Sequence, residues 1–298
     1  MRKNVWKKRI LYGLIAVLLF VLLVVFTFHD RTHRLVRQQV RIVAFGDSVF
    51  GLPWDGDTIV YHLEQLLGEP VFNAAFGGTC VSRMDSEYPS DYSKDAISLV
   101  ALTKALETED FGVQQTMHFR ESNSQNYADK IDGLETLDFS GVELVLIQHG
   151  LNDFYNGVPL DNEKDLYDEH TFKGALRSSI RSLRRANPNL RIVLMTQTYT
   201  WYRQGKITCE EYDLGYGNQE AYVQAEKEIA EELGLEFLDL YHDLYTHDSW
   251  DDWELYSADG LHPNEAGRIM LAEIIAEYLN SHAHTSDIMN ESMGVLGD

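Results

Sequence analysis

Along this chain, short apolar runs alternate with longer segments whose apolar residues recur every three or four positions. The runs Arg41–Phe45, Pro70–Asn73, Glu143–Gln148, Arg191–Gln197 and Leu235–Leu240 read as five strands. Thr58–Leu67, Phe172–Arg185, Gln219–Leu233 and Asn264–Leu279 carry helical spacing. Phe172–Arg185 ends in a basic turn before Asn187-Pro188, and Gln219–Leu233 closes at Gly234, both ordinary helix stops. Strands that alternate with helices predict βαβ units, and so an α/β fold whose parallel sheet is covered on both faces. Residues 82–141 break the rhythm, being helical over Lys94–Leu106 but polar and irregular around Glu121–Asn126. This stretch reads as a long insertion over one edge of the site, either a lid or a surface excursion with no part in binding. Residues 282–298 read as a weakly ordered tail.

The first 40 residues follow a different pattern. Basic residues Arg2, Lys3, Lys7, Lys8 and Arg9 precede an uncharged apolar run from Ile10 to Phe28, followed by Asp30, Arg31, Arg34 and Arg37. As a helix this run would span about 28 Å, close to the ~30 Å hydrocarbon core of a bilayer. Cleavable signal peptides have shorter apolar regions, of about 7–15 residues, with small residues at the cleavage site. Here the run ends Val-Phe-Thr-Phe-His-Asp. The expectation is an uncleaved signal anchor: a cytoplasmic basic segment at 1–9, a transmembrane helix at 10–28, a linker at 29–40 and an exported domain at 41–281.

Charge sharpens that division. Residues 1–41 hold nine Lys/Arg and one acidic residue, which leaves 16 basic and 46 acidic residues to the remainder. A domain this acidic repels polyanions, so nucleic acid is excluded as a partner. The two cysteines, Cys80 and Cys209, form no CxxC pair. An exported domain can join them in a disulfide or bury them as separate thiols, and both readings stand.

Four short motifs carry the chemistry. Gly46-Asp47-Ser48 follows the first strand and exposes a hydroxyl at the sheet edge. Asn73-(x)4-Gly78 follows the second strand and offers a backbone N–H with no side chain in the way. Gly150-Leu151-Asn152-Asp153 follows the third and offers a side-chain amide. Asp259-Gly260-Leu261-His262 lies between the last strand and the last helix, where Asp259 can hold the His262 tautomer that leaves Nε2 free. Acyl transfer by serine needs a nucleophile, a base with an orienting group, and donors for the oxyanion. Gly46 matches the first glycine of the Gly-x-Ser-x-Gly elbow, but Phe50 replaces the second. No His-Glu-x-x-His occurs, so a metallohydrolase reading is poor.

These four blocks, in this order, resemble the SGNH hydrolases, also called the GDSL esterase/lipase family, over about Ile42 to Asn264. The resemblance implies Ser48 as nucleophile, Asp259 and His262 as the rest of a triad, and Gly78 and Asn152 as oxyanion-hole residues. It also implies a flavodoxin-like three-layer sandwich with a five-stranded parallel sheet, and no metal or organic cofactor. The run Ala75-Phe76-Gly77 departs from the small polar residues many members carry there.

The expected activity is therefore a membrane-anchored, outward-facing serine esterase acting on a small-molecule or glycan ester. An O-acyltransferase, a lipid or thioester acyl hydrolase, and a non-catalytic glycan-binding protein are the alternatives. Trp54, Trp201, Trp250 and Trp253 fall between the regular elements, which predicts aromatic rings at the site rim that contact acetylated carbohydrate; the competing reading packs them beneath the loops. His149, just before Gly150, is a further candidate substrate contact, against the favoured reading of a hydrogen-bonded structural histidine. The sequence leaves the oligomeric state open.

Overall fold

The computed structural model describes residues 40–53, 56–84, 94–117, 124–202, 206–247 and 249–294. The anchor expected at 10–28, and Trp54, lie outside them. Among the described residues no helix is long and apolar enough to cross a membrane.

The chain opens with strand β1 (Ile42–Gly46), a four-residue helix α1 (Ser48–Gly51), helix α2 (Ile59–Leu67) and strand β2 (Val71–Ala75). Helices α3 (Leu99–Thr108), α4 (Gly112–Gln115) and α5 (Ser124–Thr136) follow, then strand β3 (Leu144–Gln148), the short α6 (Leu151–Tyr155), α7 (Phe172–Ala186) and strand β4 (Arg191–Met195). Strands β5 (Trp201–Tyr202) and β6 (Ile207–Thr208), helix α8 (Gln219–Leu233), strand β7 (Glu236–Leu238), and helices α9 (Asp251–Tyr256) and α10 (Glu265–Gly294) complete it.

Five strands form one parallel sheet in the order β2-β1-β3-β4-β7, while β5 and β6 pair as a separate antiparallel ribbon. β1, β3 and most of β4 are buried at every position, which is why they appear in the sequence as unbroken apolar runs. The strand order reverses direction at β1, because the chain first steps outward to β2 and then returns to β3. Right-handed crossovers therefore place α2 and α10 on one face and α3, α7 and α8 on the other. In such sheets ligands bind beyond the carboxyl ends of the strands that flank the reversal.

Register puts the loops of interest at one level. Gly46 lies opposite both Ala75 and Gln148, so the chain leaves β1, β2 and β3 side by side. Where it is described, part of the 82–141 stretch is built into the core. Leu99, Val100, Leu102 and Leu106 of α3 are buried in the main core, and α3 packs on α7. A right-handed return from β2 past β1 to β3 requires a crossover helix, and α3 supplies it. At the other end, α10 starts one residue later than expected and runs on to Gly294, through residues read as tail.

Candidate active site

Asp47 organises the first loop. Its carboxylate caps α1 by accepting the Val49 N–H at 2.9 Å, and it also accepts from Asn152 Nδ2 at 3.3 Å. Asp47 is wholly buried, and desolvation pushes its carboxyl up to about 6 despite those donors. An amide nitrogen carries two N–H groups. Anchoring one on Asp47 fixes the Asn152 side chain and leaves the second to donate elsewhere.

Ser48 follows Asp47 at the start of α1, where its Oγ–H donates to His262 Nε2 at 2.9 Å. On the opposite side of the ring, His262 Nδ1–H donates to Asp259 Oδ2 at 2.7 Å. The second Asp259 oxygen accepts the backbone N–H of Leu261 at 2.9 Å and of His262 at 2.8 Å, a compact turn that the Asp-x-x-His spacing makes possible. Burial alone would raise the Asp259 carboxyl, but the His262 and backbone donors outweigh it and hold it well below the usual range. The Asp259 hydrogen bond in turn raises His262 above the ordinary imidazole value, against a smaller opposing effect of burial. The serine–histidine–aspartate relay is thus assembled across 214 residues of sequence, between the end of β1 and the loop before α10.

Gly78 sits in a turn in which Thr79 N–H reaches the Phe76 carbonyl at 3.4 Å. Its φ is +75°, which the third position of a type II turn requires and a side chain would strain. Among the described residues, no backbone carbonyl takes up the Gly78 N–H. Asp153 ties the chain beyond this turn to the β3 loop, accepting from Val81 N, Ser82 N and Ser82 Oγ at 2.8, 3.1 and 2.6 Å.

Three expected substrate contacts are differently placed. His149 is buried, with Nε2 3.3 Å from Thr79 Oγ1, and desolvation pushes it down to about 3. The Thr79 hydroxyl already donates to Phe76 O, so it accepts from a neutral His149 that carries its proton on Nε2. The ring supports the turn through Nε2, while its buried Nδ1 has no hydrogen-bond partner among the described residues. Trp201 and Trp253 are not rim residues on loops: Trp201 lies on β5, Trp253 on α9, and both are buried in an aromatic cluster with Tyr199, Tyr241 and Tyr245.

The reason is visible at Gly260, whose φ is +96°. A Cβ there would stand 2.2 Å from the Trp253 ring and 2.3 Å from the Trp201 carbonyl. The Trp201 N–H donates to Gly260 O at 3.0 Å, and its indole donates to Ser249 O at 2.7 Å. The two tryptophans form the platform on which the Asp259–His262 loop rests.

Cys80 and Cys209 are both buried and are not joined in a disulfide. Among the described residues no group of three or more His, Cys, Asp or Glu side chains could hold a metal ion. Sequence reasoning overlooked Tyr127 and Lys130 of α5, which reach the Ala75–Gly78 segment. Tyr127, Ile131 and Leu134 do stand at the i, i+4, i+7 spacing of one helix face, a signal masked by the polar residues around them.

The model of the GDSL-like lipase/acylhydrolase family matches residues 44–268. A solved structure from Lactobacillus plantarum is similar at 20% identity and a TM-score of 0.55, covering 82% of this chain and 98% of its own. A possible lipase from Chitinophaga pinensis is similar at 18% identity and a TM-score of 0.51, covering 81% and 98%. A salicylyl-acyltransferase from a tetracycline biosynthetic pathway is similar at 14% identity and a TM-score of 0.50, covering 83% of this chain and 56% of its own. At these identities the likeness is one of fold. No curated protein matches the chain.

Proposed function

The chain belongs to the GDSL-like lipase/acylhydrolase family, which makes it a serine ester hydrolase, and from that premise we propose that Ser48 is its nucleophile. The observation that carries this reading is the continuous relay from Ser48 Oγ through His262 to Asp259, with both hydrogen bonds below 3 Å. His262 takes the Ser48 proton as Oγ bonds to the ester carbonyl carbon, and Asp259 holds the imidazolium that results. The carbonyl oxygen becomes an oxyanion that Asn152 Nδ2–H and Gly78 N–H stabilise. His262 then gives its proton to the leaving alcohol as the C–O bond breaks. Water, deprotonated by His262, attacks the acyl-serine in the same way and releases the acid.

The base works only when neutral, which sets the pH dependence. Because Asp259 raises His262, kcat/KM is expected to climb with pH and reach half its plateau above the ordinary imidazole value of about 6.5. Below about pH 6 protonation of Asp47, whose carboxylate holds Asn152, steepens the fall. A pH–rate profile checks this; a midpoint below 6.5 would contradict the Asp259–His262 coupling.

The substrate we infer is an O-acetyl ester of a carbohydrate, cleaved outside the cytoplasmic membrane by an enzyme held there through residues 10–28. Long acyl chains need an apolar surface beside the nucleophile. Among the described residues, no exposed large apolar side chain belongs to 47–53, 76–84, 149–157 or 257–264, and those that adjoin these segments include Leu214, against Gly157, and Leu255 of α9. The acidic Asp251, Asp252 and Glu254 of α9, close in sequence to the His262 loop, favour a neutral hydroxyl-rich partner over an anionic lipid surface. With Trp201 and Trp253 buried, the sugar reading rests on these features and no longer on a ring of tryptophans.

An ester panel of graded acyl length that includes acetylated sugars tests it, with acetyl sugar esters expected to turn over fastest. Faster turnover of long-chain esters would overturn it, and acetyl transfer to an added sugar acceptor would reveal an acyltransferase. Protease shaving of intact cells is expected to release the acidic domain, and its recovery from the cytosol would refute the anchor.

A further inference from the structure

We propose that helix α5 is the clamp of the oxyanion turn, with Tyr127 and Lys130 as positioning residues that aim the Gly78 N–H; this rests on the reading of Gly78 as an oxyanion donor. The Gly77 carbonyl and the Gly78 N–H belong to one planar trans peptide and point in opposite directions. Whatever holds the carbonyl therefore fixes the direction of the N–H. Tyr127 Oη–H donates to Gly77 O at 3.1 Å.

That hold matters because the turn cannot lock itself. Gly77-Gly78 is the central peptide of the Phe76–Thr79 turn, and types I and II differ by a flip of this peptide. Two glycines impose little steric preference on the flip. A flipped peptide would carry the Gly78 N–H to the other side and remove it as a donor. The Tyr127 hydrogen bond selects the orientation with Gly78 at φ +75°.

The rest of the helix keeps Tyr127 in place. Its ring is buried and meets Phe76 edge to face at 5.0 Å between centroids. One turn further, Lys130 Nζ donates to Ala75 O and lies 3.4 Å from Asn73 Oδ1. Asn73 in turn donates to Phe50 O at 3.3 Å, which links the clamp to the helix that carries Ser48. Gly133 brings α5 onto β2, since a Cβ there would stand 2.5 Å from the Phe72 ring. The segment between β2 and β3 thus supports the site from behind.

Tyr127→Phe removes one hydroxyl and keeps the ring, so it tests the hold directly. The effect should fall on the transition state alone: kcat lowered about 10-fold, with KM within about twofold of wild type. A boronic acid that forms a tetrahedral adduct on the serine should bind about 10-fold more weakly, in parallel with kcat. Lys130→Met is expected to show the same split at smaller amplitude, and it carries the test if Tyr127→Phe does not fold. Burial already pushes the Lys130 amine down to about 7, so an apolar side chain is tolerated there. A folded variant with kcat and boronate affinity within twofold of wild type, or with a change confined to KM, overturns the proposal. Failure of the parent reading is distinguishable, because replacing the Gly77–Gly78 amide by an ester, which removes the Gly78 N–H and keeps the turn, would then leave kcat unchanged whatever Tyr127 does.

Discussion

Ser48→Ala is expected to lower kcat for ester hydrolysis by about 10⁵–10⁶-fold while leaving the protein folded. The side chain is partly exposed and its Oγ makes one short hydrogen bond, to His262. Nothing in the core depends on it, so the alanine variant should keep the thermal unfolding midpoint of the wild type to within a few degrees. Activity should not fall to zero. Asn152 and Gly78 remain in place to polarise a bound ester, and a residual rate above that in water is the usual remainder when a nucleophile is removed. Steady-state kinetics on an activated acetyl ester, together with a thermal melt, check both halves. Near-wild-type turnover by the folded variant would remove Ser48 from the mechanism.

Asn152→Ala is the next largest effect, a loss of about 10²–10³ in kcat, or ~3–4 kcal/mol, with little change in KM. The argument runs through Asp47. A free asparagine side chain would spread its amide over several rotamers, and ordering it would oppose catalysis. Here the buried Asp47 carboxylate holds one N–H before any substrate arrives. The other is then oriented in advance, and its strongest partner is the charge that develops on the carbonyl oxygen. Removing the amide also strips Asp47 of one of its donors, so a modest loss of stability accompanies the loss of rate. A variant changed mainly in KM would identify Asn152 as a contact to the ground-state ester instead.

The parts of this structure legible in the sequence share a physical cause. Strands β1, β3 and β4 are buried on both faces, and a parallel sheet leaves no polar alternation to confuse the reading. Each motif follows a strand end, which is where an open α/β sheet displays its loops. Two residues three apart, Asp259 and His262, needed only a turn to meet.

What stayed hidden depended on distant packing. Trp201 and Trp253 fall between the regular elements of the sequence reading, yet they are buried because the chain returns and stacks them under Gly260. Position along a chain reports exposure poorly where aromatic rings are concerned. Helix α5 was missed because ten of its 13 residues are not among the apolar three that face the core, and the polar ones dominate the pattern. His149 reads in the sequence as a hydrogen-bonded structural histidine, and what nothing local reveals is its partner, Thr79.

The central claim is that Ser48 is the residue that becomes acylated. Labelling with a fluorophosphonate, followed by peptide mass analysis, tests it most directly. The expected result is one adduct per chain on the peptide that contains Ser48, faster at pH 8 than at pH 5 because His262 must be neutral, and absent from Ser48→Ala. An adduct on another residue, or none on a folded enzyme that hydrolyses esters, would contradict it.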